Sequence, residues 1–68
     1  MKIKIDKEAN AAYIYIDEEI RPGESIKTIE VNGDIILDFN KDDKLIGIEI
    51  LNAAENLTPN FLSKNITN

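Results

Sequence analysis

Two phenols and two carboxylates are the side chains in this 68-residue chain whose types and spacing could do chemistry. Tyr13 and Tyr15 alternate in one β-type run, and Asp38 and Glu49 sit in the two arms of a later hairpin. Side chains two apart on a strand point the same way, so all four can share one sheet face. Two neighbouring carboxylates can be pushed apart in pKa and serve as acid and base, and a Tyr hydroxyl can hold a ligand. Gly47, in the same hairpin arm as Glu49, leaves room for a ligand or for a large neighbour. Without a cleft, however, carboxylates beside tyrosines are ordinary sheet surface. Tyr13, Tyr15, Asp38 and Glu49 are therefore candidate binding residues, and no residue is assigned a catalytic role.

Other chemistry is excluded or weak. The chain has no Cys and no His, which removes disulfides, thiolate sites, the usual zinc sites and Ser-His-Asp triads. Ser25, Ser63, Thr28, Thr58 and Thr67 thus have no imidazole to activate them. No Gly-rich phosphate loop is present. Asp38, Asn40, Asp42 and Glu49 match positions one, three, five and twelve of a calcium loop. Such a loop needs Gly at position six and helices on both sides. Here Asp43 fills that position and the flanks read as strands. An extended Leu45–Ile50 would carry Glu49 away at about 3.3 Å per residue. No metal and no cofactor is expected. Asp6, Glu8 and Asn10 read as a turn set by a carboxylate accepting backbone N–H groups. The sequons Asn56-Leu57-Thr58 and Asn65-Ile66-Thr67 carry no weight without a secretion signal.

The elements that would position these residues follow from periodicity. Residues 2–6, 11–17, 25–31, 35–39 and 45–50 are rich in β-branched and aromatic residues and read as five strands. Pro22-Gly23 marks a turn and Asn32-Gly33 the two-residue turn of a tight hairpin. The ending reads as helical. Asn52 is expected as an N-cap with Glu55 three residues on, and Thr58-Pro59 is a second start signal. Phe61, Leu62 and Ile66 make a rough helical stripe.

Strand parity puts Ile3, Ile5, Ile14, Ile16, Ile29, Val31, Ile35, Leu37, Ile46, Ile48 and Ile50 on one face. The C-terminal helix is the element available to cover it. Ile14, Ile16, Leu37, Ile46, Ile48 and Ile50 are expected to be buried. With Phe39 opposite Lys44, the other face collects Tyr13, Tyr15, Ile36, Asp38, Leu45, Gly47 and Glu49. That face is too apolar to be wholly solvated and too polar to be a closed core, as an interface would be. A homo-oligomer, a homodimer or a larger assembly, through Tyr13, Tyr15 and Ile36 is the expected outcome, since a chain this short buries little and has no staple. The alternative is that residues 52–66 fold over this face.

Composition narrows the class. An apolar fraction of 43% suits a globular domain, here a single one over residues 1–68. A net charge of −5 with no basic cluster argues against direct nucleic-acid binding and against anionic membranes. It suits solubility or a basic protein partner. No apolar run approaches the roughly 20 residues of a spanning helix, so a cytoplasmic protein is expected.

Residues 1–14, Met1-Lys2-Ile3-Lys4-Ile5-Asp6-Lys7-Glu8-Ala9-Asn10-Ala11-Ala12-Tyr13-Ile14, with Ile36-Leu37-Asp38 and Gly47-Ile48-Glu49-Ile50-Leu51-Asn52-Ala53, carry a family resemblance. In this order they resemble the YuzE-like proteins, domain-of-unknown-function family 2283, over roughly residues 1–54. Asn10 stands where that family usually has Asp, and Asp43 where its turn usually has Gly. If the latter position needs positive φ, Asp tolerates it less well than Gly. The resemblance implies an antiparallel sheet with helical decoration and no activity. Toxin–antitoxin pairing is the association it carries. The resulting expectation is an α+β fold, a mainly antiparallel sheet of four to five strands with a short C-terminal helical segment. Its use is protein interaction, as an antitoxin-like partner of a basic protein. A small ligand-binding protein or enzyme using the carboxylates and tyrosines is the alternative.

Overall fold

The computed structural model describes residues 1–65. Five strands form one antiparallel sheet: β1 (Lys2–Asp6), β2 (Ala11–Tyr15), β3 (Lys27–Glu30), β4 (Ile35–Phe39) and β5 (Leu45–Leu51). The order is β1-β2-β5-β4-β3. Each strand has a hairpin mate, except that β2 and β3 are joined by a long connection that spans β5 and β4. Strand β5 takes the centre because it is the longest strand and carries little charge. Only Glu49 is ionisable in Leu45-Ile46-Gly47-Ile48-Glu49-Ile50-Leu51, as suits a strand covered on both edges. Two short helices follow, α1 (Ala53–Asn56) and α2 (Pro59–Lys64).

Local polar contacts fix the turns. Asp6 Oδ1 accepts the Ala9 N–H at 3.1 Å, the turn-setting role expected of it. Asn40 Oδ1 accepts from the Asp42 and Lys44 N–H groups at 2.9 and 3.0 Å and organises the β4–β5 turn. Asp43 does adopt positive φ, at 60°. Three expectations need correction here. Val31 N–H donates to Ile35 O at 2.8 Å, so Asn32-Gly33-Asp34 is a three-residue loop rather than a two-residue turn. Phe39 pairs with Leu45 rather than Lys44, through a register shift at Asp38/Phe39. The shift absorbs one extra residue on β5, as in a bulge. Asp38 still meets Gly47, so the sorting of faces survives, but Leu45 joins Phe39 instead of the tyrosines.

The helices settle on the aliphatic face. Leu57, Phe61 and Leu62 pack on a buried cluster of Ile5, Ala12, Ile50 and Ala53, with Ile3, Ile14, Ile35 and Ile48 around it. Residues 52–65 therefore leave the tyrosine face open. Thr58 caps α2 as expected, accepting the Phe61 N–H at 3.2 Å with Pro59 in the first turn. Asn52 does not cap α1. Its φ is 51°, and its side chain makes no cap bond. The cap comes from Asn10, whose backbone O accepts from Ala53 N and whose Oδ1 accepts from Ala54 N, both at 2.9 Å. Its Nδ2 donates to Glu55 at 2.9 Å.

Of the residues expected to be buried, Ile46 and Ile50 are; Ile14, Leu37 and Ile48 are half-buried. Ile16 is exposed, because β2 ends at Tyr15 and the chain turns into the long connection there. Ile66 and the rest of its sequon with Thr67 lie outside the described residues.

Candidate functional site

The tyrosine face is built across the three central strands. Tyr13 on β2 is paired with Glu49 on β5, and Glu49 with Ile36 on β4. One row along, Tyr15 pairs with Gly47 and Gly47 with Asp38. Tyr13 does not stand over its direct partner. Its ring leans diagonally across β5, and its hydroxyl donates to Asp38 Oδ2 at 2.6 Å. Gly47 makes this reach workable. A Cβ at position 47 would collide with Tyr13 Oη and lie 2.6 Å from Cζ. The large-neighbour reading of Gly47 is thus the one the geometry supports.

Asp38 is 8% exposed and is the one buried charged residue among those described. A carboxylate taken out of water needs a donor, and Tyr13 supplies it. Burial raises the Tyr13 pKa well above its ordinary value of 10, and the Asp38 hydrogen bond and charge, with Tyr15 and Glu49, add to this. A phenol so held stays protonated at neutral pH. It can donate a hydrogen bond, and it cannot act as a base.

Tyr15 packs edge-on to Tyr13, with ring centroids 4.7 Å apart, and Lys2 Nζ sits 4.4 Å from the Tyr15 centroid. The lysine is a cation–π partner that sequence reasoning missed. Its signal was parity, since Lys2 pairs directly with Tyr15 and Lys4 with Tyr13. The four residues singled out from the sequence therefore do meet on one face. Tyr13, Tyr15 and Asp38 touch in series, and Glu49 lies beside Tyr13.

Concavity is slight. A hollow of about 110 Å³ is lined by Lys4, Asp6, Ala11, Ala12, Tyr13 and Glu49, against the roughly 300–1,000 Å³ of small-molecule sites. Asp38 does not line it. Two of the calcium-like residues are spent separately, Asn40 on its turn and Asp38 on Tyr13. Among the described residues no cluster of three or more His, Cys, Asp or Glu side chains could hold a metal ion. No helix there is long and apolar enough to cross a membrane.

Residues 2–53 match the model of a family described as a protein of unknown function, DUF2283, and the chain belongs to that family. The match covers all five strands and stops where α1 begins. No curated protein and no solved structure matches the chain.

Proposed function

We propose that this member of the DUF2283 family is a cytoplasmic protein-interaction module, whose tyrosine face docks a basic protein in the manner of an antitoxin. The observation that carries this reading is an open, half-apolar sheet face with fixed aromatics. Tyr13, Tyr15 and Ile36 are half-buried without any helix over them. The Asp38 bond and the Tyr15 contact lock the Tyr13 ring in place. Rigid tyrosines give contact area at low entropy cost and are enriched at interfaces. Charge favours a basic partner over one half of the face. Glu49 and Glu30 stand around Ile36, whereas Lys2 and Lys4 line the β1 side.

The test is co-expression with the product of the adjacent gene, followed by co-purification in rising salt. A basic protein should co-purify and be released by salt, and Glu49→Lys or Tyr15→Ala should weaken its retention. No co-purification, or retention indifferent to both substitutions, would overturn the reading. The ligand-binding or enzymatic alternative needs a pocket over Tyr13 and Asp38. The hollow beside Tyr13 and Glu49 is about a third of the smallest usual site and excludes Asp38.

A further inference from the structure

The two edges of the sheet are not alike. β1 carries Lys2 and Lys4, and lysines on an edge strand discourage pairing with another chain. β3 is Lys27-Thr28-Ile29-Glu30, exposed along its whole length. Its single lysine is drawn back over the sheet. Lys27 Nζ lies 5.3 Å from the Phe39 ring centroid and pairs with Asp43 at 2.9 Å. Hydrogen-bonded pairing to β4 falls on odd positions, because Val31 N–H bonds Ile35 O and antiparallel bonds alternate. Thr28 and Glu30 therefore turn their N–H and C=O groups to the open edge.

An aliphatic row runs out to that edge. Ile3, Ile14, Ile48, Leu37 and Ile29 are directly paired across all five strands. The helices cover the neighbouring row of Ile5, Ala12 and Ile50. At the β3 end, Ile29 is 44% exposed and Val31 59%. Among the described residues no large side chain is wholly buried, and the chain exposes 4742 Å². A monomer of 7.7 kDa is expected to expose about 4,300 Å².

From these features we infer that β3 pairs antiparallel with β3 of a second copy around a twofold axis, making one continuous ten-stranded sheet. The sequence of β3 is self-complementary with Ile29 at the centre. With Ile29 on the axis, Thr28 faces Glu30 of the mate as a hydrogen-bonded pair, and Lys27 faces Val31 of the mate. Side chains on the same face stay together, so the aliphatic row continues through the axis. Moving the axis to Glu30 would set two carboxylates against each other, which costs energy. A strand this short buries area comparable to the excess the chain exposes, at the low end of specific interfaces. The dimer should therefore be weak, with a Kd on the order of micromolar. The tyrosine face takes no part in it and stays free for another partner.

Sedimentation equilibrium of the full chain across a wide concentration range tests this, with three variants. The wild type should move from 7.7 kDa towards twice that mass as concentration rises. Thr28→Pro removes an outward N–H and leaves the β4 ladder intact, which an edge strand tolerates. It should hold the chain monomeric at every concentration. Ile29→Lys, a change at an exposed position that threatens folding little, should raise Kd at least tenfold. Tyr15→Glu should leave self-association unchanged. Amide exchange gives an independent reading: Thr28 and Glu30 should slow at high concentration, and the β1 amides should not. A wild type at one monomer mass throughout, a dimer indifferent to Thr28→Pro and Ile29→Lys, or a dimer lost in Tyr15→Glu would each overturn the proposal.

Discussion

The two faces of this sheet are held by different physics. On the helix side, Ile5, Ala12, Ile50 and Ala53 close over one another as hydrocarbon. On the other side the buried charged residue is a carboxylate, Asp38, kept in place by one phenol reaching across a glycine. The first arrangement is tolerant in detail and costly to hollow out. The second stands on one bond and one missing Cβ, so it should fail in specific ways while the fold persists. Removing atoms from each face sharpens this contrast.

The largest loss is expected on the aliphatic side. Ile50 is 4% exposed at the centre of the helix-covered cluster. Ile50→Ala should cost about 3–5 kcal/mol, a large share of what a domain of this size has. Ile48→Ala, one row away and half-buried, should cost about half as much, since part of its surface is already in water. Urea unfolding of the two variants checks the order. Equal losses would mean that the row through Ile48 is closed off as fully as the one beneath the helices.

On the tyrosine face, Gly47→Ala should cost about 2 kcal/mol. The added Cβ collides with the far end of the Tyr13 ring, which can swing away, but only by abandoning Asp38. The loss is therefore close to that of a hydrogen bond to a buried charged group, roughly 1.5–3 kcal/mol. In a Tyr13→Ala background the ring is gone, and adding Gly47→Ala should cost almost nothing further. Full additivity in that double-mutant cycle would show that the two positions are not coupled.

Much of this arrangement was legible in the sequence, and the reasons are local. Period-two alternation assigned both faces, and a shift of one residue at the bulge left Asp38 and Gly47 on the same side. The four candidate residues met for that reason. The bulge itself was hidden, because Leu45-Ile46 offers apolar residues in either register. Asn10 was read as a turn residue, and its role as the α1 cap was not legible. The cap joins positions 44 apart in the chain, and no local rule links them. Ile16 misled because composition continues past the point where pairing stops. The diagonal lean of Tyr13 depends on the missing Cβ of Gly47, which the sequence showed as room without showing the occupant.

The smallest effect concerns pH and isolates the phenol. Folding raises the Tyr13 pKa above its ordinary value of 10, chiefly by burial and then through Asp38. The neutral phenol is thus favoured in the folded state. This contribution to stability is fully present below pH 10 and is lost as pH climbs from there through the raised, folded-state value. The wild type should therefore lose stability above pH 10 more steeply than Tyr13→Phe, which has no proton to lose at that site. The variant starts lower at neutral pH, because Asp38 has lost its donor, so the two curves should converge as pH rises. Chemical denaturation from pH 8 to pH 11.5 measures this, with phenolate absorbance followed in parallel. Tyr13 should ionise together with unfolding. Parallel stability curves, with the variant offset by a constant amount at every pH, would mean that Tyr13 ionises as readily folded as unfolded. The account of a phenol locked over Asp38 would then fail.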